Sequence, residues 1–316
     1  MALSFDPEIE VALKAAADAM GEIPPPPPRG DALMLRAGLD GLMAQMLAAA
    51  VVAPGVTKTT YHTVAADGTQ LNLHWFASSN SRPGSAVCYI HGGGMICGSV
   101  DLYNAVISDY VTASGVPMLA VSYRLAPEHP HPTPVEDAYA GLAWLFDHAA
   151  ELGVDPSRIA VMGDSAGGGI AAGVALLARD RGLQLARQIL IYPMLDDRNQ
   201  EPEDALVPFA NWTYDNNFTG WSALLGSAFG SDDVPAAAAP SRATDLRGVA
   251  PLYMEVGELD IFRLEDIDYA RNIAAAGVSI ELHVHPGAPH GFERMAPESD
   301  VAKRATADRL RVLASL

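Results

Sequence analysis

The chain has 316 residues, 49% hydrophobic and 18% charged, enough for one large core in a single decorated domain. Its 38 acidic against 20 basic residues give a net charge of -18, which repels phosphate backbones and anionic membranes and excludes nucleic acid as an expected partner. Two cysteines, Cys88 and Cys97, are too few for a disulfide framework. With no leader-like start and no stretch near the ~20 apolar residues of a membrane span, a cytoplasmic protein with no membrane partner is the expectation.

Residues 7–20 have the spacing of an amphipathic helix with Pro7 in its first turn, and the proline run 24–28 then breaks it as a rigid spacer. A second helix is expected over 31–50, apolar around much of its circumference and therefore covering something. From residue 57 the pattern changes to short β-rich runs at 57–64, 71–76, 86–90, 118–122, 159–162, 188–192, 252–256 and 278–284. Helix-period segments at 101–114, 134–151, 166–181 and 264–276 lie between them. Such alternation predicts an α/β fold: an eight-stranded, mostly parallel sheet with helices on both faces. One connection is too long for a simple crossover. Residues 196–246 carry Trp212, Tyr214, Phe218, Trp221 and Phe229, and are read as an inserted helical cap. Residues 1–52 complete that cap, and 53–316 form the catalytic domain.

Gly163-Asp164-Ser165-Ala166-Gly167 stands between the run 159–162 and a helix-forming segment. A strand that turns at once into a helix strains the central residue, and glycines two positions either side relieve the collision. The serine hydroxyl is then presented above the sheet at the positive end of the helix. A phosphate loop would need a Lys-Ser/Thr ending or G-x-G-x-x-G, and neither is present.

A serine needs a base and a carboxylate to become a nucleophile. His290 lies in a Gly/Pro-rich loop after the last strand, where a base would be delivered to the sheet edge. Its rivals, His283 and His285, alternate with Leu282 and Val284 and read as strand residues. Glu258 and Asp260 both leave the strand at 252–256, and spacing alone does not choose between them. For the charge that develops on an ester carbonyl oxygen, His91-Gly92-Gly93-Gly94 follows the strand at 86–90. Its glycines allow backbone N–H groups to converge, and the Ala166 N–H is a further donor. His91 is read as a residue that fixes this loop. No metal cluster or nucleotide fingerprint is found, so no cofactor is expected.

With these motifs assembled, the chain resembles the bacterial hormone-sensitive-lipase-like esterases of the α/β-hydrolase superfamily. The resemblance rests on HGGG at 91–94, SYRLAPE at 122–128, GDSAGG at 163–168, GELD at 257–260 and HGF at 290–292, in the family's order. It implies the α/β-hydrolase fold and a carboxylesterase acting on small-molecule esters of short to medium chain, or aromatic ones. It also implies a catalytic set of Ser165, His290 and Asp260, with an oxyanion hole drawn from Gly92, Gly93, Gly94 and Ala166. Asp260 is thereby preferred to Glu258, Arg124 and Glu128 become a buried ion pair or loop brace, and a homodimer is expected. Two positions depart from the family pattern: Met95 replaces an aromatic residue and Ile261 a proline. The alternatives are amide or lactone hydrolysis or acyl transfer on the same triad, and a non-catalytic ligand-binding protein on this scaffold.

Overall fold

The computed structural model describes residues 3–20, 25–48, 53, 55–79, 81 and 84–316. Pro24, the end of the second expected helix at 49–50 and the boundary at residue 52 lie outside these. The described strands are β1 (Val56–Val64), β2 (Gln70–Ser78), β3 (Gly84–Ile90), β4 (Met118–Val121), β5 (Val154–Asp164), β6 (Arg187–Ile191), β7 (Leu252–Gly257) and β8 (Ile280–His285). They form one sheet in the order β1-β2-β4-β3-β5-β6-β7-β8. β1 and β2 pair antiparallel, as do β2 and β4, and every later pair is parallel.

Side-chain alternation explains the layering. In β3, Ala86, Cys88 and Ile90 join one buried cluster while Val87 and Tyr89 join another, and in β5 Ile159 and Val161 divide from Ala160 and Met162 in the same way. A strand that is apolar on both faces has to be covered on both. α4 (Thr133–Asp147), α5 (Ala166–Asp180) and α7 (Arg263–Ala275) supply residues to the first cluster. α3 (Asn104–Ser114) and α9 (Asp300–Ala314) supply the second.

α9 is an element beyond those expected. Its apolar face is carried by Val301, Ala302, Ala305, Val312 and Leu313, and Ser299 caps it by accepting from the Ala302 N–H. Charged residues between those positions dilute the hydrophobic signal. β5 begins five residues before the expected strand, extended by a pairing of Val154 with Gly84 across a bulge.

The segment 196–246 contains α6 (Tyr214–Leu225) and three short 3-10 turns, with Trp212, Tyr214 and Trp221 buried. α2 (Ala32–Ala48) meets α6 where the Gly30 N–H donates to Thr219 Oγ1 at 2.9 Å. α1 (Pro7–Met20) is preceded by Phe5, edge-on to Phe209 of the insertion, and packs Ile9 against Phe292. Among the described residues no helix is long and apolar enough to cross a membrane.

The winding direction changes at β3, which has β4 on one side and β5 on the other. Crevices form at the carboxyl ends of strands where an α/β sheet reverses in this way. The HGGG loop leaves β3 and the GDSAG turn leaves β5 at that point.

Candidate active site

Ser165 sits between β5 and α5 at φ 56° and ψ -126°, a conformation that costs a non-glycine residue roughly 1–3 kcal/mol. The close approach of chain on either side explains its flanks. A Cβ on Gly163 would lie 2.2 Å from the Gly167 carbonyl oxygen, and one on Gly167 would lie 2.2 Å from that of Ile90. The strained turn is secured by the Ser165 N–H donating to Ile191 O, and by Ser165 O accepting from Gly169 and Met194.

His290 Nε2 is 2.9 Å from Ser165 Oγ, and His290 Nδ1 is 2.6 Å from Asp260 Oδ2. With the Nδ1 proton directed at the carboxylate, Nε2 is left as acceptor for the serine hydroxyl. Asp260 is fully buried, and its other oxygen accepts from the Phe262 N–H at 3.0 Å. The rings of Tyr192 and Phe262 stand edge-on to the imidazole, at 4.6 and 5.2 Å between centroids. The imidazole is therefore held by packing on two sides and by hydrogen bonds at both nitrogens.

The rival residues lie elsewhere. Glu258 Oε2 accepts from the Gly287 N–H at 2.9 Å, bracing the loop that carries His290 rather than touching the imidazole. His283 Nε2 pairs with Glu281 at 2.8 Å, and His285 faces Glu255. Glu281, His283 and Asp308 bring possible ligand atoms within 4.8 Å of one another, but Arg311 pairs with both carboxylates and supplies the positive charge there.

In the HGGG loop, Gly93 has φ 123° and Gly94 φ 60°. Gly93 O accepts from the N–H groups of Ile96 and Cys97, which curls the loop back on itself. Among the described residues no acceptor is bonded to the N–H groups of Gly93, Gly94 or Ala166. Gly92 approaches Asp164 and Tyr103, where an added Cβ would lie 2.8 to 2.9 Å from their oxygens. His91 is buried, donates from Nδ1 to Gly92 O at 2.8 Å and stacks on Tyr123, the loop-fixing role expected of it. Burial lowers its pKa, so it stays neutral. Burial also pushes the thiols of Cys88 and Cys97 up to about 12, which makes both poor nucleophiles.

Arg124 and Glu128 are both ion-paired, each to a different residue. Arg124 forks onto the buried Asp137 and reaches Asp67, while Glu128 receives two bonds from Arg36 of α2. Met95, at φ 64°, is buried over Gly169 of α5, and the Ile261 carbonyl accepts from Asn199.

Several neighbours of the site were not singled out in the sequence. Asn211 Nδ2 donates to the His290 carbonyl at 2.6 Å, and Trp212 lies so close to Gly94 that an added Cβ would be 2.4 Å from its ring. Asp164 accepts from Tyr89, Tyr103 and Arg294. Arg294 stands two residues past HGF, in the single helical turn that begins at Phe292, and that nearness in sequence was the available signal.

A family model described as alpha/beta hydrolase fold matches residues 87–294. The chain belongs to that family. Carboxylesterase NlhH of Mycobacterium tuberculosis is 38% identical over 231 residues, covering 72% of this chain and 72% of that protein. Ethyl acetate hydrolase of Pseudomonas putida is 33% identical, covering 72% and 73%. Among solved structures, a bacterial heroin esterase superposes with a TM-score of 0.87 at 37% identity, covering 99% of this chain and 98% of that one.

Proposed function

We propose that this family member is a serine carboxylesterase in which Ser165 is the nucleophile, His290 the general base and Asp260 the residue that orients it. The observation that carries the reading is the unbroken hydrogen-bond path from Asp260 through His290 to Ser165. The carboxylesterase and esterase names of its relatives agree with it in reaction class.

In the first half of the cycle His290 takes the Ser165 proton as the oxygen attacks the ester carbonyl. The N–H groups of Gly93, Gly94 and Ala166 receive the oxyanion, each such donor contributing ~3 to 4 kcal/mol. Gly92 serves the loop by permitting its close approach to Asp164. The imidazolium, stabilised by Asp260, then protonates the departing alcohol. Water activated by the same imidazole frees the acid from the acyl-enzyme. The insertion and α2 act as a cap, and Trp212 against Gly94 narrows the space over the HGGG loop, which favours short- to medium-chain or compact aromatic esters.

The test compares the protein with its Ser165→Ala variant on p-nitrophenyl esters from acetate to palmitate, alongside labelling by an organophosphonate. Loss of turnover and of labelling in a variant with unchanged circular dichroism supports the assignment. Undiminished turnover removes Ser165 from the mechanism, and a rate that persists to palmitate overturns the chain-length reading.

A further inference from the structure

We propose that Arg294 is a positioning residue whose bond to Asp164 holds the loop carrying the base against the turn carrying the nucleophile. The inference rests on the assignment of Ser165 and His290 above.

His290 stands on backbone with little regular structure of its own. It is followed by Gly291 at φ 66°, with nothing within 4 Å of where a Cβ would be, and then by α8 (Phe292–Met295), a single turn. Other bonds tie this loop to its surroundings, from Asn211 to His290 O, from the Gly287 N–H to Glu258, from the Leu259 N–H to Ala288 O and from the Asp6 N–H to Gly287 O. None of these partners belongs to the GDSAG turn, which the His290 side chain itself meets at Ser165. Arg294 reaches that turn. Its Nη2 donates at 2.8 Å to Asp164 Oδ2, on the residue that directly precedes Ser165.

Both ends of the bond are anchored. Asp164 also accepts from Tyr89 at 2.6 Å and Tyr103 at 3.2 Å, so its carboxylate is fixed by three donors. The Arg294 guanidinium lies 4.6 Å from the centroid of the Tyr103 ring. Its neighbour Glu293 accepts from the Tyr192 hydroxyl at 2.6 Å, and Tyr192 is the ring that stands edge-on to His290. Arg309 continues the alternation, 3.3 Å from Glu293 and bonded to the buried Glu255. Buried ion pairs such as Arg309–Glu255 are weak evidence for stability, and the partly exposed Arg294–Asp164 pair that continues them to the GDSAG turn is assigned a placing role on its geometry.

Access from outside makes the idea testable by chemical rescue. Arg294 lines a cavity of about 240 Å³ between α3 and α9, together with Val106, Asp109, Thr306 and Leu310. A free guanidinium ion fits such a space and can replace the lost head group.

The experiment measures kcat and KM for p-nitrophenyl acetate in Arg294→Ala, Arg294→Lys and Asp164→Asn, with and without millimolar guanidinium chloride, normalised to folded protein by circular dichroism. A displaced base costs about 100-fold in kcat with KM changed by less than about threefold. Guanidinium should recover part of that loss in Arg294→Ala, and Arg294→Lys should retain more activity than Arg294→Ala. Wild-type kcat in folded Arg294→Ala overturns the proposal, as does a loss that guanidinium leaves unchanged and Lys does not relieve. Should Arg294→Ala fail to fold, a wild-type kcat in both Arg294→Lys and Asp164→Asn overturns it, and a kcat-only loss in Asp164→Asn supports it. Ser165→Ala run in parallel separates the two readings: a dead Ser165→Ala with a fully active Arg294→Ala sinks only the tether, whereas an active Ser165→Ala sinks the triad itself.

Discussion

Ser165 Oγ and His290 Nε2 stand 2.9 Å apart although 125 positions separate them in the chain, and the imidazole between Ser165 and Asp260 is oriented only if its Nδ1 carries the proton. Asp260→Asn is nearly isosteric but offers an amide in place of a carboxylate, which favours the wrong tautomer. Turnover is expected to fall by about 10⁴-fold with the fold intact. Glu258→Gln is the internal control, because that carboxylate bonds the Gly287 N–H and not the imidazole. A drop of less than about fivefold is expected there. Steady-state rates on p-nitrophenyl acetate decide, and equal effects in the two variants would remove Asp260 from its role.

The HGGG loop offers a second test. An alanine Cβ at Gly93 would lie 2.1 Å from the Cys97 carbonyl oxygen, in a backbone conformation at φ 123° that alanine resists. Gly93→Ala therefore has to distort the loop whose N–H groups are proposed to receive the developing charge. A loss of about 10² to 10³ in kcat is expected, with substrate affinity largely kept. An unaltered kcat would mean that this loop does not serve the transition state.

Arg36 of α2 supplies a third test. From α2 it donates to the carbonyls of Ile96 and Ala126 and to Glu128, while Asp40, one turn on, accepts from the Gly98 N–H at 2.8 Å. Both contacts bear on the stretch that follows Gly94, so α2 is tied to the HGGG loop. Arg36→Gln should lower kcat by about tenfold and also lower Tm, since the buried carbonyls lose charged donors. Differential scanning calorimetry and rate measurements on one preparation check both, and a fall in Tm without any change in kcat would make the contact purely structural.

How much of this was legible in the sequence depends on whether local chemistry or distant contacts decided each element. The sheet and the GDSAG turn were readable because strand alternation and paired glycines are local signals, as Gly163 and Gly167 illustrate. His290 was separable from His283 and His285 by the loop around it. Asp260 and Glu258, two residues apart on one exit, were not separable by spacing, because only the folded loop determines which of them meets the imidazole. α9 escaped notice because Arg309, on its buried side, pairs with Glu255 and interrupts the apolar stripe. Asn211 and Arg36 meet partners 79 and 60 positions away, which no local pattern announces.

Asp266 supplies the last prediction. It lies in the first turn of α7, fully buried, and among the described residues neither carboxylate oxygen has a hydrogen-bond partner. Burial first, then the nearby charges of Glu265 and Asp260, push its pKa well above the usual carboxylate range. In the unfolded chain the same group titrates near its ordinary value of about 3.9. Below that value both states hold the proton and the group contributes no pH dependence. As pH rises from there toward the folded pKa, the unfolded state releases its proton while the native state keeps it, so native stability declines. Asp266→Asn keeps a neutral donor and acceptor but cannot ionise in either state. Its Tm should match the wild type near pH 4 and exceed it by several degrees at pH 7. Glu265, also raised by burial but bonded to the N–H groups of Leu195 and Asp196, is present in both proteins and cancels to first order. Calorimetry at the two pH values is sufficient, and a variant equally destabilised at both would mean that the Asp266 carboxylate is ionised and paired in the native protein.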